Sequence, residues 1–196
     1  MQQIVIIHGG TSFNSYERYI EDLRAKKIHY DRLLSNKTWR DTVMKAFPDS
    51  DVLLPKFPNS SNAQYTEWVI YFENLIPHLK QDVRIVAHSL GAAFIAKYIS
   101  QYPFKISIRQ LILIAPPYND ESYEDLGSFI LTNLAPLNKL RDNLHIMHSK
   151  DDTIVPFSEL KKFQSDLPNA TYHVFEDRGH FLQYNFPELI QILEQK

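Results

Sequence analysis

The 196-residue sequence predicts an α/β fold: a three-layer α/β/α sandwich around a central, mostly parallel sheet of about six strands. Three observations carry that expectation. Short apolar, β-rich runs recur along the chain, and most are continuous in apolar residues, as strands buried on both faces of a parallel sheet are. Segments of helical period lie between them. The two kinds of segment alternate, which is the order a sheet with helices on both faces demands. With no repeat, no low-complexity tract and no Gly/Ser/Pro-rich linker, residues 1–196 read as a single domain.

The first strand is expected at residues 4–7 (Ile-Val-Ile-Ile), running into His8-Gly9-Gly10-Thr11. Tyr16, Tyr19, Ile20 and Leu23 then fall at i, i+3, i+4 and i+7, with Glu17, Glu21, Asp22 and Arg24 between them, a helical stripe. Residues 51–54 form the second strand. Trp68, Phe72, Leu75, Ile76 and Leu79 make a second helical stripe, so Trp68 is expected in the core and not in a binding site. The third strand, 83–87, leads through His88-Ser89-Leu90-Gly91 into a helix-forming run at 92–96. After the fourth strand, 110–115, residues 118–134 can hold a helix or two but not a separate cap domain. Phe129, Ile130 and Leu131 there either wall a pocket or cover the sheet. The fifth strand, 144–147, precedes His148-Ser149-Lys150-Asp151-Asp152, and the sixth, Thr171–Phe175, precedes Gly179-His180. Phe186-Pro187 opens a last helix carrying Leu189, Ile190 and Leu193.

Composition excludes several functions. The chain has no cysteine, which removes disulfide scaffolds, thiolate metal sites and cysteine nucleophiles. Lys+Arg number 21 against 23 Asp+Glu, a net charge of −2, without the basic excess of a nucleic-acid binder. The start, Met1-Gln2-Gln3, lacks a signal-peptide pattern, and no apolar stretch reaches the roughly 18 residues of a membrane helix. A cytoplasmic protein with no membrane association is the expectation. Gly9-Gly10 lacks the Gly-x-Gly-x-x-Gly spacing of a dinucleotide loop, and no Gly-Lys-Ser/Thr phosphate loop exists.

In open parallel sheets, function sits in the loops at the carboxyl ends of the strands. Ser89, Asp152 and His180 stand at three such ends, in the chain order of nucleophile-elbow enzymes. A serine hydroxyl becomes a useful nucleophile only when an imidazole takes its proton, and the imidazole needs a carboxylate to fix its tautomer. The sharp turn that lifts the serine clear of the sheet needs small residues two before and two after it, here Ala87 and Gly91. The helix that follows brings backbone N–H groups and a positive dipole end to the place where an oxyanion forms. The tripeptide Ser-x-Gly alone is a weak signal; the strand before it, the helix after it and the ordered Asp and His make it strong. The rival reading is that Ser89 only caps a helix.

With residues 4–10, the Leu54-Pro55-Lys56-Phe57-Pro58-Asn59 stretch leading to Trp68, and residues 83–91, 152–156 and 179–180, the chain resembles the α/β-hydrolase superfamily. The likeness is to its small serine-hydrolase branch, which includes a retinoblastoma-binding hydrolase and bacterial relatives. The resemblance implies a fold without a large cap, Ser89 as nucleophile, Asp152 as acid and His180 as base. It places oxyanion donors at the N–H of Leu90 and of a residue just after His8-Gly9, Gly10 or Thr11, with Gly10 favoured. Ala87 stands where the commoner elbow has glycine, and Thr11 where many such loops carry a third glycine. The implied activity is cleavage of small carboxylic esters or related acyl compounds through an acyl-enzyme, without cofactor. The alternatives are a thioesterase or small peptidase with the same triad, or a hydrolase-fold module that binds a protein partner with little catalysis.

Other acids and histidines of the chain compete with the triad. The family frame, acid then two residues then Val-Pro, fits Asp152-Thr153-Ile154-Val155-Pro156 and leaves Asp151 to shape the turn; Asp120 is an outside candidate. His173 lies inside a strand, whereas His180 is in a loop. His88 is expected to point away from the pocket as a packed, hydrogen-bonded histidine. His145 and His148, at i and i+3 on a strand, face opposite sides, so no metal site is expected.

Overall fold

A computed structural model of the chain describes residues 2–30, 33–34, 37–121 and 124–195. Six strands, β1 (Gln3–Ile7), β2 (Asp51–Leu53), β3 (Val83–His88), β4 (Ile108–Ile114), β5 (Leu144–Ser149) and β6 (Thr171–Phe175), pair in the order β2-β1-β3-β4-β5-β6. Every pairing is parallel. The central strands β1, β3 and β5 are buried along their whole length, whereas the edge strands β2 and β6 are only partly so. This is why the central runs are apolar at most positions, with no polar alternation.

Alternate side chains of each strand enter two separate cores. Val5, Ile7, Ile85, Leu113 and Ile146 pack against α3 (Tyr65–Leu75), α4 (Leu90–Gln101) and α5 (Glu159–Asp166) on one face. Ile4, Ile6, Val86, Ile112 and Met147 pack against α2 (Trp39–Ala46) and α6 (Pro187–Glu194) on the other. These are the three expected layers. Trp68 is fully buried, with its Nε1–H donating to the Pro58 carbonyl at 2.8 Å.

Two helices, α2 and α5, went unforeseen. α2 carries a local signal: the Thr38 N–H donates to Asp41 Oδ2 at 2.7 Å, closing the first turn, and Trp39 and Val43 are buried one turn apart. A third helix, α1 (Tyr16–Ala25), forms where its stripe predicts, capped by Ser15 Oγ accepting from the Arg18 N–H at 3.2 Å. Its stripe does not enter a core: no α1 residue is buried, and Tyr16 is 65% exposed. Periodicity reports which side of a helix is apolar, not whether anything lies against it.

Residues 118–134 contain one 3₁₀ turn, Gly127–Phe129, and no longer helix among the described residues; Ser122 and Tyr123 lie outside these. Phe129 and Leu131 are buried in the core under α3 and α4, with Phe129 edge-on to Trp68 at 5.2 Å. They cover the sheet. Among the described residues no helix is long and apolar enough to cross a membrane.

The chain leaves β1 toward β2 on one side, then jumps past β1 to continue through β3 toward β6 on the other. The carboxyl ends of β1 and β3 therefore flank the switch point where open α/β sheets form a crevice. His8-Gly9-Gly10 and Ser89 are the residues at those two ends.

Candidate active site

Between β3 and α4 the backbone turns at Ser89 with φ 54° and ψ −128°. A non-glycine residue at positive φ costs about 1–3 kcal/mol and persists only where its surroundings over-determine it. They do so here. The Ser89 N–H donates to the Ile114 carbonyl at 2.8 Å, and the Ser89 carbonyl accepts from the N–H groups of Ala92 and Ala93 at 2.8 and 3.2 Å. Ala87 is fully buried. A Cβ on residue 91 would lie 2.3 Å from the His8 carbonyl oxygen, so glycine is required for β1 and the elbow to come this close.

The loops after β5 and β6 bring Asp152 and His180 together. His180 Nδ1–H donates to Asp152 Oδ2 at 2.9 Å, with the aspartate side chain wholly buried and the imidazole 7% exposed. The other carboxylate oxygen accepts from the N–H groups of Ile154 and Val155 at 2.8 and 3.0 Å. Burial alone would raise the Asp152 carboxyl, but the hydrogen bond and charge of His180, with those two N–H groups, hold it below its ordinary value. Asp151 works differently. Its Oδ1 accepts from Ser149 Oγ at 2.5 Å and from the Gly179 N–H at 2.8 Å, tying the β5 loop to the residue before His180.

Ser89 and His180 line one open cleft of about 400 Å³, with Gly9, Gly10 and Thr11 of the β1 loop. No hydrogen bond joins the Ser89 hydroxyl to the imidazole in this arrangement, a common state of hydrolase sites without substrate. The β1 loop is held by His8. Its Nε2 accepts from the Phe57 N–H at 2.9 Å, which leaves Nδ1 to donate to the Gly9 carbonyl at 2.6 Å. The Thr11 N–H donates to the Ser60 carbonyl at 2.8 Å. The N–H groups of Gly10 and Leu90 have no protein acceptor among the described residues.

A family model for serine hydrolases matches residues 34–188. The chain belongs to the serine hydrolase family. This serine hydrolase is 26% identical over 160 residues to serine hydrolase RBBP9 of Rattus norvegicus, covering 80% of this chain and 83% of that one. It is 26% identical over 166 residues to the putative hydrolase YdeN of Bacillus subtilis (strain 168), covering 80% and 84%. The crystal structure of the B. subtilis ydeN gene product superposes with a TM-score of 0.74 over 98% of this chain and 97% of that one, at 20% identity. A meta-cleavage product hydrolase from Pseudomonas fluorescens shares the fold at a TM-score of 0.67 and 12% identity, over 98% and 90%.

The other histidines of this serine hydrolase divide between the cleft and the packing. His88 is buried and hydrogen-bonded, its Nε2 donating to the His180 carbonyl at 2.8 Å, but it does not point away from the cleft: it lines it. The β1 loop and the His180 loop fold over the end of β3, and the His88 ring packs between Trp39 of α2 at 6.3 Å and the His180 ring at 4.8 Å, beside the cleft. Burial, with His180 nearby, pushes its pKa down to about 3. His173 lies in β6, its Nε2 3.1 Å from His145 Nδ1, while His148 Nε2 donates to the Val155 carbonyl at 3.1 Å. Among the described residues no group of three or more His, Cys, Asp or Glu could hold a metal ion. Asp120 gives its N–H to Glu159 Oε2 at 3.0 Å, and the carboxylate beside the His180 imidazole is Asp152.

Two cleft residues escaped the sequence reading. Arg40, at the start of α2, and Glu124, between β4 and β5, both line the cleft with Ser89. Burial, chiefly, pushes the Glu124 carboxyl above its ordinary value. The Thr38–Asp41 capping pattern could have placed a helix at Arg40, but nothing local tells that this helix ends beside β3.

Proposed function

We propose that this serine hydrolase cleaves small carboxylic esters through an acyl-enzyme on Ser89. The observation that carries this reading is a serine held at positive φ over the same cleft that receives an imidazole hydrogen-bonded to a buried carboxylate. Asp152 takes the Nδ1 proton of His180 as a hydrogen bond and so leaves Nε2 basic. His180 accepts the Ser89 hydroxyl proton as Oγ bonds to the acyl carbon, then returns it to the departing alcohol. Water repeats the two steps, frees the acid and restores the serine, so the cycle consumes nothing but ester and water. The negative charge that develops on the acyl oxygen is met by the N–H groups of Leu90 and Gly10. Gly10 is preferred to Thr11 because the Thr11 N–H is committed to Ser60.

The cleft favours short acyl groups. Ile154 is the one aliphatic side chain among its described lining residues, and each buried methylene is worth roughly 0.8 kcal/mol only while apolar surface remains to cover it. kcat/KM on p-nitrophenyl esters should peak between acetate and butyrate and be flat or falling by octanoate; a steady rise through decanoate overturns this. A fluorophosphonate probe tests the nucleophile. One adduct, located on Ser89 by mass spectrometry and lost in a folded Ser89→Ala variant, is expected, and an adduct on another serine overturns the assignment.

A further inference from the structure

Arg40 stands in the wall of the cleft with no ion-pair partner among the described residues. Its guanidinium carbon stands 5.1 Å from the centroid of the Trp39 ring, and Trp39 is itself buried and edge-on to His88 at 6.3 Å. The arginine is thus braced against the layer beneath Ser89. Its Nε is buried with no hydrogen-bond partner, and among the described residues the guanidinium makes no ion pair or side-chain hydrogen bond. Asp41, next in sequence, favours the Arg40 charge from a distance, but its carboxylate is spent on the Thr38 N–H and makes no ion pair with the guanidinium. Guanidinium groups do not lose their proton in proteins, so partial burial without an anion leaves a standing electrostatic cost. His8 and His88 on the same wall are both pushed toward the neutral form, mainly by burial and partly by Arg40 itself. Glu124 borders the cleft near His180 and Asp152, where it would repel a bound anion. The place for an anion is therefore the Arg40 wall.

We infer that Arg40 is a specificity residue which binds a carboxylate carried by the substrate beside the scissile ester. The preferred substrates are then anionic esters, such as half-esters of short dicarboxylic acids. Arginine suits this because its planar fork meets a carboxylate through two parallel hydrogen bonds, and a ring behind it fixes its plane. The inference rests on the Ser89 reading and narrows it to a substrate class.

The test compares two pairs of esters, anionic against neutral: mono-p-nitrophenyl succinate with p-nitrophenyl pentanoate, and 4-acetoxybenzoate with phenyl acetate. The first pair puts the charge on the acyl group, the second on the leaving group. In at least one pair the anionic-to-neutral ratio of kcat/KM should fall about 10- to 100-fold in Arg40→Gln, through KM, and be partly kept in Arg40→Lys. Ratios that stay within twofold of wild type in both pairs overturn the inference. So does a parallel loss on both members of each pair, which would give Arg40 to the oxyanion or to folding. Succinate alone supplies a readout without catalysis: it should raise Tm in wild type and not in Arg40→Gln, with sodium chloride at equal ionic strength as control. No such difference counts against the inference. A protein that fluorophosphonate leaves unlabelled but succinate stabilises through Arg40 would instead overturn the Ser89 reading and keep the anion site.

Discussion

The β3–α4 elbow and the connection at residues 118–134 both lie beyond the carboxyl ends of central strands, β3 and β4, and they are held by different means. The elbow is held by exclusion: a Cβ at residue 91 would collide with the His8 carbonyl, and Ala87 to Ala96 are buried without a break. The connection, besides burying Phe129 and Leu131, is held by charge. Glu159, fully buried on α5, accepts through Oε2 from the N–H groups of Tyr118, Asn119 and Asp120 at 2.7, 2.8 and 3.0 Å, and Lys162 pairs with its other oxygen. Lys97 on α4 donates to the carbonyls of Ser128 and Ile130 at 2.7 and 3.1 Å. Steric exclusion fixes a backbone to a fraction of an ångström, as chemistry at Ser89 would need. Polar hooks fix a segment's place and leave its path freer.

The sharpest break of this contrast removes the carboxylate that, in the proposed function, gives the elbow its use. Asp152→Asn should lower kcat about 10³- to 10⁴-fold with Ser89 still in place, by offering His180 the wrong hydrogen-bond partner. Steady-state kinetics on p-nitrophenyl acetate checks it, and a loss under tenfold would leave the elbow's geometry without a catalytic reason. Next comes one methyl group. Gly91→Ala must push β1 and the elbow apart, costing roughly 1–3 kcal/mol or more and misplacing Ser89, so activity should fall further than the urea midpoint suggests. Glu159→Ala should show the reverse balance. Three amides lose a buried acceptor, about 3 kcal/mol, and a drop in Tm of roughly 6–12 °C should accompany a smaller change in kcat. Equal effects from both variants would dissolve the distinction.

Acid adds a smaller effect. His88 keeps its proton off until about pH 3, whereas in the unfolded chain it takes one up near its ordinary value, so the unfolded state binds more protons as pH falls below about 6.5. Stability should therefore decline from pH 6.5 to 4.5, by up to roughly 1.4 kcal/mol per pH unit for this histidine. His88→Gln should flatten that slope in urea titrations; an unchanged slope would mean His88 is not its source. The smallest effect belongs to Asp151→Asn, which loosens the Gly179 tether but leaves the Asp152–His180 hydrogen bond intact. Its loss of kcat should be well below that of Asp152→Asn.

The same contrast explains what was legible in the sequence. Ser89, Gly91 and Ala87 stand at fixed spacing because a steric turn dictates residue sizes within five positions, and such a demand is written locally. The strands were legible for a similar reason, since burial on two faces requires continuous apolar runs. Glu159 was not, because it serves amides about 40 residues earlier and looks like any acidic residue opening a helix. Arg40 and Glu124 reach the cleft only through the arrangement of layers, which no local pattern encodes. The α1 stripe marks the opposite limit: its period is plain, yet its apolar side meets solvent.

The hydrogen bond from His88 to the His180 carbonyl closes a distance that the chain otherwise spans by 91 residues, from Ser89 to His180. Errors of placement along so long a path would add up, strand upon strand. Referencing His180 directly to the neighbour of Ser89 cancels them, in the way a machinist gauges two holes from one datum. If the proposed reaction holds, thermal breathing of the sheet would carry both groups together, and the gap a proton crosses would depend on this one hydrogen bond more than on the path of the chain.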